Sequence, residues 1–238
     1  MTIGVLVHGA LGKMGSLACD TVKAADGMHL VAGTDRGDDL AQNIQTHRPD
    51  VVVDFTLPDC VFDNATTIIA EGARPVIGTS GLSEEQIKAL TAQCDEHKRG
   101  GIVVPNFSIA AVLMMKASAM AAKHLPECEI IEMHHTQKVD SPSGTAQKTA
   151  ELIAEHRDHA PDCLDKTRGK RVGDVPIHSV RLPGYFASQE VIFGQLGETL
   201  SITHRAHDRE AMMPGVLFAI RQCMTLNTLI YGLEHLIQ

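Results

Sequence analysis

His134, His135 and Lys138 stand close together just ahead of Ser143-Gly144-Thr145, inside the stretch EIIEMHHTQKVDSPSGTA that runs from Glu129 to Ala146. An imidazole with its ordinary pKa of about 6.5 can hold and release a proton at neutral pH, and an ammonium stabilises negative charge developing beside it. Ile130, Ile131 and Met133 make the first half of the stretch strand-like, while Pro142 and Gly144 mark a turn. From Thr145 the run TAQKTAELIAEHR takes up a helical period through Ala146, Ala150, Ile153 and Ala154. Backbone N–H groups of Gly144 and Thr145 would point out of that helix start, where a carboxylate binds well. Two imidazoles, an ammonium and an anion cradle on one strand–loop–helix describe the pocket of a small acidic substrate. The same spacing also fits a charged strand end followed by an ordinary capped helix. In a regular strand His134 and His135 face opposite sides, so if both touch a substrate the strand must twist or end there.

The elements that would position such a pocket fall into two groups. In the N-terminal half, apolar runs at Ile3–Val7, Leu30–Ala32, Val51–Phe55, Pro75–Ile77 and Ile102–Val104 read as strands. Between and after them come helical segments at Ser16–Ala25 and Pro58–Ala73, one opened by the capping box Ser83-Glu84-Glu85-Gln86 and stopped by Gly100, and Ile109–His124. Continuous β-branched strands separated by helices predict a doubly wound parallel sheet, with ligands at the C-terminal ends of its strands. At the first such end Gly9, Gly12 and Gly15 form G-x-x-G-x-x-G. Gly9 suits a tight turn, Gly12 a close backbone approach and Gly15 helix–strand packing. Asp35 falls 20 residues beyond Gly15, a spacing that suits a carboxylate accepting from an adenosine ribose hydroxyl. Arg36 with Lys13 could instead hold a 2′-phosphate, and a purely structural glycine turn is the remaining alternative. A P-loop is excluded because Gly12-Lys13 is followed by Met14.

Beyond about residue 160 the alternation stops. Ile177–Leu182, Gln189–Phe193 and Leu200–His204 read as antiparallel strands, with Pro183-Gly184 and Gly194–Gly197 as turns. With Glu129–His135 they predict an open sheet of about four strands carrying the Thr145 helix. Asp158–Gly173 reads as a loop. Gly215–Met224 and Leu226–Leu236 carry helical patterns, expected to pack back on the first domain rather than extend its sheet. The division predicted is residues 1–108 with 210–238, and 109–209 between them.

A chain of 238 residues, 44% hydrophobic and 21% charged, has room for one large or two small well-cored domains. A formal charge of −8 without any Lys/Arg run argues against a nucleic-acid surface. The longest apolar stretches, such as Ile109–Met115, are too short for a bilayer, and Met1-Thr2-Ile3 runs straight into a strand pattern, so no signal peptide is expected. Cys19, Cys60, Cys94, Cys128, Cys163 and Cys223 are scattered without a C-x-x-C pair, which fits reduced thiols in a cytoplasm and no metal site.

Taken together the motifs resemble those of the 4-hydroxy-tetrahydrodipicolinate reductases, also called dihydrodipicolinate reductases, of the diaminopimelate and lysine pathway. The resemblance runs over essentially the full length: GALGKMG at 9–15, DFTLP at 54–58, IGTSG at 77–81, PNFS at 105–108, the EIIEMHH…SPSGTA block, and FG-x-x-GE-x-L-x-I-x-H at 193–204. It implies an α/β fold, with an N-terminal Rossmann domain and an α+β domain with an open mixed sheet that binds a small dicarboxylate and builds a homotetramer. It implies His134 as proton donor and Lys138 as second catalytic group, with His135, Ser143, Gly144 and Thr145 binding substrate. Gly9, Ala10, Leu11, Gly12, Lys13, Met14, Asp35, Arg36, Gly78, Thr79, Ser80, Val104, Pro105, Asn106 and Phe107 match positions that bind NADPH or NADH. The implied reaction passes a hydride from the nicotinamide to ring carbon 4 of a cyclic imine dicarboxylate, with domain closure bringing hydride and acid together.

Three details depart from the family pattern: Thr136-Gln137 replaces Arg or His of many relatives, Asp35 is shorter than the Glu of some, and Leu57 replaces a basic residue. The competing readings are a reductase of similar fold acting on another small acid, a nucleotide-sensing regulator without catalysis, and a metal-dependent hydrolase. The regulator leaves His134 and Lys138 unexplained, and the hydrolase lacks H-E-x-x-H while adjacent His134-His135 chelates poorly. His204 and His207, beside Arg205, carry no assignment.

Overall fold

The computed structural model describes residues 2–157 and 168–237. Much of Asp158–Gly173 therefore lies outside the described residues, as does Cys163. The chain divides into two compact units, Met1–Ser108 with Met212–Gln238, and Ile109–Ala211.

The first unit is built on strands Ile3–His8 (β1), Met28–Thr34 (β2), Val51–Asp54 (β3), Arg74–Ile77 (β4) and Gly101–Val103 (β5). Helices Lys13–Ala24 (α1), Val61–Ala70 (α3) and Glu84–His97 (α4) connect them, and Met213–Cys223 (α7) returns from the second unit. All pairings are parallel. Val5–Val7 and Val51–Val53 are completely buried, as expected of strands covered on both faces. The Ser83/Gln86 capping box opens α4.

The structure departs from the sequence reading in three places here. Leu40–His47 (α2) is a helix whose largely polar sequence buries only Leu40 and Ile44; Asp39 caps it, accepting from the Gln42 N–H at 2.9 Å. Helix α4 stops at Lys98, left-handed at φ 49°, rather than at Gly100. Gly100 has a packing duty instead, since a Cβ there would lie 2.4 Å from the Leu226 carbonyl oxygen. The third departure is at the C-terminal end. Leu226–Leu236 does not continue as helix: Leu229–Tyr231 (β11) adds a sixth strand beside β5, giving the order β11-β5-β4-β3-β1-β2. A 3-10 turn, Leu233–His235, follows. Backbone pairing overrides the local period, because the edge groups of β5 need partners: Gly101 donates to Thr228 O at 3.1 Å and Gly232 to Val103 O at 2.8 Å.

The second unit carries Ile109–Ala122 (α5), Glu127–His134 (β6), Gly144–His156 (α6), Lys170–Val172 (β7), Val175–Arg181 (β8), Ala187–Gln195 (β9) and Glu198–Ala206 (β10). The sheet order is β10-β9-β6-β8-β7, five strands rather than about four. The added strand, β7, lies within the segment read as a loop. Strand β6 runs parallel to β8 and antiparallel to β9, so Pro183-Gly184 does not close a hairpin: β6 separates the strands on either side of it. Alternation sends Cys128, Ile130 and Glu132 to one buried face. Strand register then lays out cross-strand rows on that face. Ile177, Ile130, Val191 and Ile202 form an apolar row; the next is polar, Ser179, Glu132, Gln189 and His204. The last row is Arg181, His134, Ala187 and Ala206.

Candidate active site

In the first unit the predicted positions lie at C-terminal ends of strands. Gly9, at φ 86°, faces the Phe55 carbonyl so closely that a Cβ would sit 2.5 Å from its oxygen. A Cβ on Gly15 would lie 2.0 Å from the Gly9 oxygen, so this glycine lets α1 approach the loop. Gly12 differs from both. It is the exposed N-cap of α1, gives no side-chain capping bond, and a Cβ there meets only the Gly9 oxygen, at 3.2 Å. First-turn N–H groups at Lys13 and Met14 thus open onto an uncrowded loop, and a pyrophosphate fits such a helix start. Leu11 and Lys13 are exposed and Ala10 half-buried.

Asp35 is tied into this loop. Its carboxylate accepts from Arg36 N–H at 2.8 Å and Leu11 N–H at 2.7 Å, and these two bonds hold its pKa below the usual carboxylate value. Each carboxylate oxygen can accept further bonds, so capacity remains for a ribose hydroxyl. Arg36 is exposed next to it.

At several other predicted positions the residues also make contacts within the protein. A Cβ on Gly78 would lie 2.3 Å from the Phe55 ring, which packs at 5.5 Å between centroids against Phe107. Thr79 is buried and its hydroxyl donates to Asp54 Oδ1 at 2.6 Å. Asn106 Oδ1 accepts from the Ser108 N–H at 2.8 Å. Ser80 and Pro105 are exposed, while Val104 and Phe107 are buried. Asp54, which the sequence reading leaves unnamed, is the hub of these loops. It is fully buried and also accepts from Thr56 N–H, Thr56 Oγ1 and Asn64 Nδ2 at 3.0, 2.8 and 2.9 Å. His8 is likewise unforeseen, buried with Nδ1 2.9 Å from Thr34 Oγ1.

In the second unit, β6 ends at His134, which removes the conflict over which face His135 takes. His134 Nδ1 lies 2.5 Å from Glu132 Oε2, an i, i+2 neighbour on the same face. Arg181, opposite His134 on β8, grips the same carboxylate with Nη1 to Oε2 at 2.8 Å and Nη2 to Oε1 at 2.7 Å. The Ser143 N–H donates to Oε1 at 3.2 Å. Burial would push the Glu132 carboxyl up; hydrogen bonds from His134, Arg181 and Ser179 outweigh that and bring it down to about 2. Neither Glu132 nor Arg181 is singled out by the motif reading. The E-x-H spacing held the clue to the first; nothing local marks the second.

Lys138 Nζ pairs with Asp140 Oδ1 at 2.8 Å, and that ammonium keeps the Asp140 carboxyl below its usual value. Ser143 caps α6 by accepting from Ala146 N–H at 3.3 Å and is buried, so its side chain serves the helix. Gly144 is exposed, and a Cβ there would meet nothing within 4 Å, so neither packing nor a positive φ demands glycine. Thr145 and His135 are half-buried. A cavity of about 400 Å³ lies on the opposite face of this sheet, lined by Glu129, Ile131, Arg168, His178 and Ile192 among others. Glu129 pairs there with Arg168 and with His178, the latter at 2.7 Å, and none of the predicted residues lines it. His204 is buried, which lowers its pKa.

A parallel sheet with an open glycine-loop helix start, in a chain whose other unit gathers imidazole, ammonium and guanidinium at one strand end, defines a Rossmann-type oxidoreductase, and the fold implies a nicotinamide cofactor. Family models described as dihydrodipicolinate reductase, N-terminus, and dihydrodipicolinate reductase, C-terminus, match residues 3–107 and 110–237. The chain belongs to the dihydrodipicolinate reductase family. It is 53% identical to a 4-hydroxy-tetrahydrodipicolinate reductase of Coxiella burnetii and 51% identical to one of Legionella pneumophila, covering 100% of both chains in each case. Among solved structures, the dipicolinate-bound dihydrodipicolinate reductase from Paenisporosarcina sp. TG-14 matches with a TM-score of 0.91 at 41% identity, over 100% of each chain. A probable dehydrogenase from Thermotoga maritima shares the fold alone: TM-score 0.68, 10% identity, 94% of this chain and 89% of that one. No helix among the described residues is long and apolar enough to cross a membrane.

Proposed function

We propose that this chain reduces 4-hydroxy-tetrahydrodipicolinate (dihydrodipicolinate) to tetrahydrodipicolinate with NADH or NADPH, as a cytoplasmic homotetramer in lysine and diaminopimelate biosynthesis. The observation that carries the reading is His134, fixed through Nδ1 at the end of β6 with Lys138 and the α6 start on the same strand–loop–helix. The names of the full-length relatives support it. The first unit, Met1–Ser108 with Met212–Gln238, binds the dinucleotide, and Ile109–Ala211 binds substrate and oligomerises.

Loss of water from the 4-hydroxy substrate gives a conjugated imine, and a bound nicotinamide would supply the hydride that its ring carbon 4 accepts. The Gly9–Met14 loop seats the pyrophosphate, and Gly78–Ser80 with Val104–Phe107 line the rest of the dinucleotide site. Asp35 accepts from the ribose if the cofactor is NADH; Arg36 and Lys13 meet the 2′-phosphate if it is NADPH. With Nδ1 committed, His134 carries its exchangeable proton on Nε2 and, as imidazolium, donates it to the electron-rich ring that reduction leaves. The Lys138 ammonium offsets the charge that develops there. One substrate carboxylate sits against the N–H groups at Gly144 and Thr145, with His135 and Ser143 completing the seat.

Coupled to dihydrodipicolinate synthase with pyruvate and aspartate semialdehyde, the purified protein should consume NADPH or NADH. No loss of nicotinamide absorbance with active synthase present would reject the assignment. His134→Ala and Lys138→Ala should each lower turnover by about 10²-fold or more while cofactor binding persists. Near-normal rates in both would remove them from the mechanism.

A further inference from the structure

We infer that Glu132, clamped by Arg181, is the positioning residue of this site: its one carboxylate fixes both the His134 ring and the start of α6. The inference rests on the proposed role of His134 as proton donor.

Besides the bond from Ser179, four bonds to Glu132 divide evenly between its two oxygens. Oε2 takes Arg181 Nη1 at 2.8 Å and His134 Nδ1 at 2.5 Å; Oε1 takes Arg181 Nη2 at 2.7 Å and Ser143 N–H at 3.2 Å. Each oxygen thus accepts one bond from the guanidinium and one from a piece of the site. The same guanidinium donates to the Asp140 carbonyl at 2.8 Å and the Lys138 carbonyl at 3.3 Å. Arg181 and Glu132 together therefore tie down the His134 ring, the backbone of the Lys138–Asp140 loop and the first residue before α6.

Packing does not require this pair. One row along the same buried face, Ile177, Ile130, Val191 and Ile202 fill the space with apolar side chains. Buried ion pairs are commonly no more stabilising than such a row, because removing two charges from water offsets their attraction. What an apolar row cannot do is choose a tautomer. An acceptor at Nδ1 keeps the proton there in both the neutral and the charged ring, so Nε2 alone gains and loses one. The charged groups that register and hydrogen bonding place at His134 are Glu132 on β6 and Arg181 on β8; Lys138 and Asp140, paired with each other, lie on the loop that Arg181 ties down, β9 presents Ala187, and His135 follows in sequence. Arg181 and Lys138 each have a carboxylate partner. Removing the Glu132 charge leaves Arg181 acting on the imidazolium without its counter-ion.

The test is Glu132→Gln, read in three ways. We expect kcat to fall about 100-fold or more and the limb of the pH–rate profile set by the donor's deprotonation to move to lower pH. Nucleotide affinity, measured by direct titration, should stay within about twofold, a change under half a kcal/mol. Glu132→Asp should recover part of kcat. The third readout is independent of the reaction: nitrogen-15 NMR of His134 should show the Nδ1–H tautomer in the parent and its loss in Glu132→Gln. Should Glu132→Gln fail to fold, Glu132→Gln/Arg181→Met removes both charges together and should fold, with kcat low and the Nδ1–H signal gone. Parental kcat and pH limb in a folded variant, or a parent His134 carrying its neutral-form proton on Nε2, would overturn the inference. If the parent reduces nothing while its NMR tautomer is as expected, the proposed reaction fails and the positioning geometry stands.

Discussion

Thr79 offers a way to separate a cofactor contact from a structural one. Its hydroxyl donates to Asp54 Oδ1 at 2.6 Å, one of four bonds to a fully buried carboxylate, with Thr56 N–H and Oγ1 and Asn64 Nδ2 as the other donors. Thr79→Val keeps the volume and removes that donor. A hydrogen bond to a charged group is worth about 1.5–3 kcal/mol, and three donors remain on the carboxylate, so a loss of about 2 kcal/mol follows. For a chain of this size that is a fall in Tm of roughly 4–8 °C. Thermal and urea unfolding followed by far-UV circular dichroism would measure it, with Ser80→Ala, exposed on the same loop, expected to stay within about 0.5 kcal/mol of the parent. Saturating cofactor should restore kcat to within a few-fold. If Thr79→Val is as stable as the parent and loses only nucleotide affinity, the hydroxyl belongs to the cofactor and the account of Asp54 as the hub of the loops is wrong.

Three further outcomes follow from the geometry. Gly144→Ala should leave stability within about 0.5 kcal/mol, since its Cβ meets open space, yet raise the substrate KM about tenfold if a carboxylate sits there; an unchanged KM argues against that seat. The Glu132 carboxyl, depressed from 4.5 to about 2, contributes stability present above its unfolded value and lost as pH falls from about 4.5 towards about 2. Its size is about 3 kcal/mol, so urea midpoints of Glu132→Gln should fall less steeply across that window than those of the parent; parallel curves would contradict the shift. Arg36→Ala should weaken NADPH about tenfold and NADH little if the guanidinium meets a 2′-phosphate, which titration with both cofactors would decide.

The alternation of buried strands and helices was legible because Val51–Val53 and its counterparts carry a β-branched signal that survives without partners. The end of the chain was not, because Leu229–Tyr231 is a strand only by virtue of the open edge of β5. Helix α2 escaped notice for a related reason: two buried residues give too little period to read. In the second unit, the reach of β6 as far as His134 was legible from Ile130, Ile131 and Met133, but not its neighbours. Gln189–Phe193 pairs with it directly, and so does Ile177–Leu182, in parallel, an arrangement that adjacency in sequence hides. Arg181 reaches Glu132 across 49 residues, and no local pattern can announce such a partner. Asp54 was passed over inside the strand read as Val51–Phe55, because its partners Asn64 and Thr79 lie 10 and 25 residues further on.

The sixth strand has a consequence for synthesis. A ribosome delivers the inserted 109–211 segment whole before it supplies α7 and β11, so the nucleotide sheet must wait with β5 uncapped while its neighbour is already able to mature. An uncovered strand edge is a template for pairing with other chains. Truncation by the final ten or so residues would leave that edge permanently bare, and the nascent protein is most exposed to misassembly in the interval before its own tail arrives.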